Sequence, residues 1–285
     1  MLTDHLCFRL TYSSVFWKGY VLFQPSDHTF VVCAYGESPY LRECICSLLS
    51  QSLRTRICIA TSTPNELVLS IAKEFDLELI INEGEPGIAH DWNCALGCAD
   101  TPLVTIAHQD DVYDAHYADA VLAYCNRAEM PLLFFTDYGE LREGVIVDES
   151  RLLRIKRAML RPLKRESNWG NIRLRRRMMS FGSPICCPSV TYCLCNLPVP
   201  VFQEGMRGGL DWDAWERISK LSGDFVYAPE ILMCHRIHEG SETSALIRDD
   251  VRSQEDYEMF RRFWPAPVAS VLNGVYGLSQ KSNSL

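Results

Sequence analysis

The sequence predicts an α/β domain with a mostly parallel sheet flanked by helices. Runs rich in β-branched and aromatic residues alternate with amphipathic helical runs between residues 28 and 111. Each strand-like run passes into a helix after a short connection, the order that parallel crossovers produce. With 285 residues, 47% hydrophobic and 22% charged, the chain can bury a sizeable single core.

After a preamble to Asp27, residues 28–35 read as a buried strand. Ser38 and Pro39 open a helix whose Leu41, Cys44, Ile45, Leu48 and Leu49 recur on one face. Residues 56–61 form a second strand, and Thr63-Pro64-Asn65-Glu66 spells a capping box that starts a helix to about Phe75. Residues 78–81 are a third strand and residues 87–99 a third helix. Residues 103–107 are a fourth strand running directly into His108-Gln109-Asp110-Asp111. From about Ser241 the pattern turns helical and then irregular. The expected organisation is an N-terminal extension (1–27), one main domain (28–244) and a C-terminal helical extension with a polar tail (245–285).

Asp4, Arg9 and Lys18 interrupt the apolar N-terminus before a signal peptide or a span of about 20 residues can form, so the protein is expected not to be exported. The uncharged stretch 178–203 carries Pro184, Pro188, Pro198 and Pro200, which suit loops and short strands. Thirteen cysteines without paired C-x-x-C units read as small hydrophobes in a reducing cytoplasm. The formal charge of −8 conceals eleven Lys and Arg residues against the single acid Glu166 between Arg151 and Arg177. Such a segment is either a solvated face or a contact for an anionic partner, such as a phospholipid surface or a lipid-diphosphate acceptor. The corresponding location is the cytoplasm, with peripheral contact at the inner face of the membrane. No aromatic-interleaved or groove-reading motif accompanies the charge, so nucleic acid is not an expected partner.

In open α/β sheets, ligands gather beyond the carboxyl ends of the strands. Asp110 and Asp111 stand there side by side. Adjacent carboxylates repel unless a proton or a cation intervenes, and a hard divalent cation would also bridge nucleotide phosphates. A helix cap is the plainer alternative.

These motifs together resemble family-2 glycosyltransferases. Val31-Val32-Cys33-Ala34-Tyr35 before a helix is similar to their opening strand, and residues 87–93 are similar to their Gly-to-Asn helix. His108 to Tyr113 looks like a variant of their Asp-x-Asp metal motif. Gly209-Leu210-Asp211-Trp212-Asp213 looks like their catalytic segment; Ala228-Pro229-Glu230 and His235-Arg236-Ile237-His238 then follow as their closing strand and loop. The resemblance spans roughly residues 30–244 and implies a GT-A, Rossmann-like fold. It also implies inverting, metal-dependent transfer of a sugar from a nucleoside diphosphate, uridine diphosphate foremost, to the hydroxyl of a glycan or lipid-linked acceptor.

Carried over by position, the resemblance puts Ala34, Tyr35 and Glu37 against base and ribose, Thr61 in the second nucleotide loop and Asn93 against the donor. Asp110 would touch ribose or sugar, and Asp111 would hold manganese or magnesium, with His238 approaching the metal or diphosphate. Asp211 would be the general base, with Asp213 its alternative, and Trp212 would stack on a sugar unless it packs in the core. Two other readings stay open: a sugar nucleotidyltransferase, which would want a Gly-rich loop where Gly36-Glu37-Ser38-Pro39 stands, and a non-catalytic nucleotide- or glycan-binding protein of the same fold.

Overall fold

Consecutive residues from His28 to Val32 are all buried, although their side chains alternate between the faces of a strand. Both faces of the sheet are therefore covered, as the α/β pattern requires. The computed structural model describes residues 22–84, 87–238 and 251–281. Within them β1 (His28–Ala34), β2 (Arg56–Thr61), β3 (Glu78–Ile81) and β4 (Leu103–His108) lie parallel in the order β3-β2-β1-β4. Helices α1 (Leu41–Leu49), α2 (Glu66–Glu74) and α3 (Ile88–Gly97) make the crossovers.

Two helix starts differ from the sequence reading. Ser38 does not cap α1: its hydroxyl accepts from the Tyr40 N–H at 3.3 Å, and the helix begins only at Leu41. The apolar face ends at Leu48, since Leu49 is exposed. At α2 the cap is Asn65, whose side chain accepts from the Val68 N–H at 3.0 Å. The Thr63 hydroxyl instead accepts from the Gly36 N–H at 2.6 Å, and the Asn65 amide donates to the Gly36 carbonyl at 2.9 Å. The predicted box residues thus tie the loop after β1 to the loop after β2.

The second half of the sheet mixes directions. The strands β5 (Val112–Tyr113), β6 (Pro131–Arg142), β7 (Val145–Val147), β8 (Val190–Cys193) and β9 (Asp224–Ile237) extend it in the order β4-β8-β6-β9-β5, with β7 beside β6. Strand β8 is antiparallel to both β4 and β6, β9 is parallel to β6, and β5 is antiparallel to β9. The remaining helices are α4 (Tyr117–Cys125), α5 (Arg151–Leu160), α6 (Ile172–Met179), α7 (Leu210–Ile218), α8 (Val251–Arg261) and α9 (Ala266–Lys281).

Helices α8 and α9 close over α7, where Trp212 meets Phe260 and Tyr276 with ring centroids 5.0 and 5.8 Å apart. The basic segment is partly structural. Arg175 is fully buried and donates to the carbonyls of Ser219, Leu221 and Gly223, closing the C-terminal end of α7. Every cysteine among the described residues is free, and no described helix is long and apolar enough to cross a membrane. Residues 1–21 of the expected N-terminal extension, and the expected boundary at 244/245, lie outside the described residues.

Candidate active site

Sheet register assembles the site. Strand β5 pairs antiparallel with β9, Val112 opposite Cys234, so Asp111 comes across from His235. Asp111 is fully buried. Its Oδ1 accepts from the Arg236 N–H at 2.8 Å and meets His235 Nδ1 at 3.0 Å. Its Oδ2 has no hydrogen-bond partner and lies 4.0 Å from His108 Nδ1. Next to it, Asp110 Oδ2 meets His238 Nε2 at 2.9 Å.

Arg236 braces the turn from outside. Its Nε donates to the Asp110 carbonyl at 2.7 Å, its Nη2 reaches Glu43 at 2.6 Å, and its guanidinium lies 4.3 Å over the Tyr40 ring. His108 stacks on Trp92 at 5.2 Å, and its buried Nε2 has no partner. Burial pushes the His108 imidazole below its usual pKa, despite the attraction of Asp111 and Asp110. Burial also opposes a charge on His235, but there Asp111, with help from Asp110, outweighs it and pushes the group up to about 9. Desolvation works against ionised Asp110 as well, yet the His238 hydrogen bond and the nearby histidines hold its carboxyl below the usual range.

One ligand atom each from His108, Asp110 and Asp111 lies within 4.8 Å of the others. The buried Asp111 oxygen without a partner is a costly feature that a cation would relieve. The donor set, two carboxylates and an imidazole, fits a divalent ion such as manganese or magnesium. His238, the histidine expected near the metal, reaches this group through Asp110. His235 is in strand β9 rather than in a loop, and it bonds Asp111 directly.

The expected nucleotide residues fall into two sets. Ala34 ends β1, and the backbone of Tyr35 exchanges two hydrogen bonds with the Gln109 side chain, 3.1 and 2.8 Å, beside the Asp pair. Tyr35 is 61% exposed, so its side chain is accessible to a ligand. Glu37 is exposed on the same loop. Thr61 is buried, and its hydroxyl accepts from the Thr63 N–H at 3.1 Å, so that side chain shapes the turn.

Two expectations are corrected. The Asn93 amide donates to the Phe202 carbonyl at 2.7 Å and accepts from the Phe202 N–H at 3.0 Å, which makes it the anchor of that loop rather than a ready donor contact. Trp212 is fully buried between the C-terminal helices, so neither face of its indole is open to a sugar.

Asp211 is half-buried in the first turn of α7, its Oδ1 accepting from the Trp212 N–H at 2.7 Å. Its charge favours the protonated form of His108. Asp213, the alternative base, is buried and paired with Arg217 at 2.9 Å and Arg262 at 2.6 Å. Sequence reasoning passed over His108, Gln109 and Arg236. The first two lie inside the motif that drew attention to the aspartates, and Arg236 lies between the two histidines.

The sequence pattern of "Glycosyl transferase family 2" matches residues 29–180, more than half of the chain. An "uncharacterized glycosyltransferase" of Haemophilus influenzae is 23% identical over 230 residues, covering 76% of this chain and 67% of the relative. Among solved structures, the mannosyltransferase PcManGT of Pyrobaculum calidifontis, in complex with GDP-Man and Mn2+, superposes with a TM-score of 0.56 at 16% identity over 90% of this chain and 72% of that one. TarS of S. aureus (residues 1–349) in complex with UDP-GlcNAc gives 0.55 at 14% identity, over 87% and 70%. At such identities the structural likeness is one of fold, and the fold is GT-A. With the sequence match spanning more than half its length, the chain belongs to glycosyltransferase family 2.

Proposed function

We propose that this protein transfers a sugar from a nucleoside diphosphate, UDP by preference, to an acceptor hydroxyl with inversion at the anomeric carbon. The observation that carries this reading is the unpartnered, buried Oδ2 of Asp111 within the His108, Asp110 and Asp111 cluster. It lies at the end of the strand from which GT-A enzymes address their donors. His108, Asp110 and Asp111 would hold a divalent cation, manganese or magnesium, whose Lewis acidity offsets the charge building on the departing diphosphate. Tyr35, Glu37 and Thr61 bound the nucleotide side, with Gln109 bracing the loop that carries Tyr35. Asp211 accepts the proton of the acceptor hydroxyl as it attacks from the opposite side. The half-burial of Asp211, against the salt-bridged state of Asp213, supports that choice.

The neighbours' GDP-Man and UDP-GlcNAc complexes support a nucleotide-sugar donor, and a Mn2+-containing neighbour supports a cation. The proposed acceptor is a glycan or lipid-linked sugar met at the cytoplasmic face of a membrane. Exposed Arg151, Arg154, Arg173 and Arg177, with exposed Ile155 and Phe181 among them, support contact with an anionic surface.

The test is turnover of UDP- and GDP-sugars with manganese, followed by NMR assignment of the product anomer. Asp211→Asn is expected to lower kcat by roughly 10²- to 10⁴-fold. Retained turnover in that variant, or a product with the donor's anomeric configuration, would remove the mechanism.

A further inference from the structure

We infer that Glu255, on the C-terminal helix α8, is a positioning residue for the segment that carries Asp211. The inference rests on the reading of Asp211 as the base. Glu255 is buried, and its carboxylate takes three successive backbone N–H groups of the chain entering α7. Oε1 accepts from Arg207 at 2.8 Å, while Oε2 accepts from Gly208 at 2.7 Å and from Gly209 at 2.8 Å. Gly209 is the residue that caps α7, and Asp211 is its second helical residue.

The cap residue is a glycine and contributes no side-chain bond of its own. Glu255 supplies such bonds from 46 to 48 residues away. A carboxylate there also meets the positive end of the nine-residue helix α7. Charge-assisted hydrogen bonds of this kind are short and directional, which suits them to hold a loop in one conformation.

The rest of α8 is fixed to the same element. Phe260 packs edge-on against Trp212 at 5.0 Å, and Arg262, just beyond the helix, pairs with Asp213 at 2.6 Å. Asp211 thus sits between Glu255, which fixes the chain before it, and Phe260 and Arg262, which fix the residues after it. The C-terminal helices are thereby part of the machinery that aims the base, although their residues follow the segment matched by the family pattern.

Full-length wild type, Glu255→Gln, Glu255→Ala and Trp264→Phe test this. Trp264→Phe, between α8 and α9, removes the Nε1 bond to the Ser180 carbonyl and trims the ring that meets Phe181 and Arg177 while leaving the three Glu255 bonds in place, and serves as the structural control. Hydrogen exchange of the 207–212 amides is expected to speed up at least tenfold in Glu255→Ala and less in Glu255→Gln. UDP and GDP binding with manganese should stay at wild-type strength. Donor turnover should fall about 10- to 100-fold in kcat with little change in donor KM, the effect of a misplaced catalytic group. Trp264→Phe should keep both exchange at 207–212 and kcat. Unchanged exchange at 207–212 in Glu255→Ala overturns the inference. So does a loss of nucleotide binding equal to the loss of turnover, which would make Glu255 merely structural. If Asp211→Asn keeps full turnover while Glu255→Ala loosens the segment, it is the base assignment that fails and not the clamp.

Discussion

Replacing Asp111 by Asn separates its burden on the fold from its use in binding. In the wild type, Oδ2 is buried without a partner, a state that costs about 1 to 3 kcal/mol. Asn keeps an oxygen for the Arg236 N–H and His235, and replaces the orphaned charged oxygen by a neutral amide nitrogen, which costs less to bury although His108 Nδ1, at 4.0 Å, is beyond hydrogen-bond reach. Against that gain stands the pairing with His235, whose imidazole is pushed up to about 9 from 6.5. A raised folded pKa contributes stability that is fully present below 6.5 and is lost as pH rises through about 9. The full contribution is about 3 kcal/mol.

In EDTA at pH 6, Asp111→Asn should therefore unfold at, or slightly below, the wild-type free energy. At pH 9.5, where His235 is neutral in both proteins, the variant should be the more stable by about 1 to 3 kcal/mol. The second arm adds UDP or GDP with manganese. A ligand at 100 times its Kd adds about 2.7 kcal/mol to the wild type. That amounts to roughly 4 to 5 °C in Tm for a chain of this size, and the variant should lack the shift. Denaturant unfolding across pH and thermal scans with ligand read the two arms. A variant that is less stable at pH 9.5 than at pH 6 relative to wild type, or that keeps the ligand shift, refutes the reasoning.

Trp212→Ala should destabilise the protein by about 3 to 5 kcal/mol, as for other buried aromatic truncations, measured by chemical denaturation; a variant that melts with the wild type would put the indole outside the core. His28 is fully buried between Thr55 and Thr105 and burial lowers its pKa to about 3 from 6.5. Its neutral form thus contributes stability above pH 6.5 that declines as pH falls towards 3, so the stability difference between wild type and His28→Gln should shrink by about 2 kcal/mol from pH 7.5 to pH 5. A difference that holds constant over that range would mean that His28 takes up its proton in the folded protein at the same pH as in the unfolded chain.

What could be read along the chain was set by neighbours along the chain. The alternation of buried β-branched runs with amphipathic runs is local, and strands β1 to β4 came out within a residue of expectation. The Asp110-Asp111 pair was legible for the same reason, because adjacent carboxylates at a strand end are an electrostatic problem visible in four letters. Helix starts were less legible: Thr63 and Asn65 are both capping residues, and only the proximity of the β1 loop directed Thr63 to Gly36 and left the cap to Asn65.

The partners of these residues were decided by tertiary structure, since register and packing act between segments far apart in sequence. Asp111 meets His235 because β5 pairs with β9 across more than a hundred residues. Asn93 was drawn to Phe202 and Trp212 into the core under Phe260, although composition allowed both to face a ligand. The sequence by itself determined the family, the parallel half of the sheet and the candidate carboxylates, all of which depend on local pattern. Which oxygen stays unpartnered, which aspartate is tied up in salt bridges and what holds the Asp211 segment were decided only when β9, α7 and α8 packed together, because burial and hydrogen-bond completion belong to the assembled core and not to any one stretch of chain.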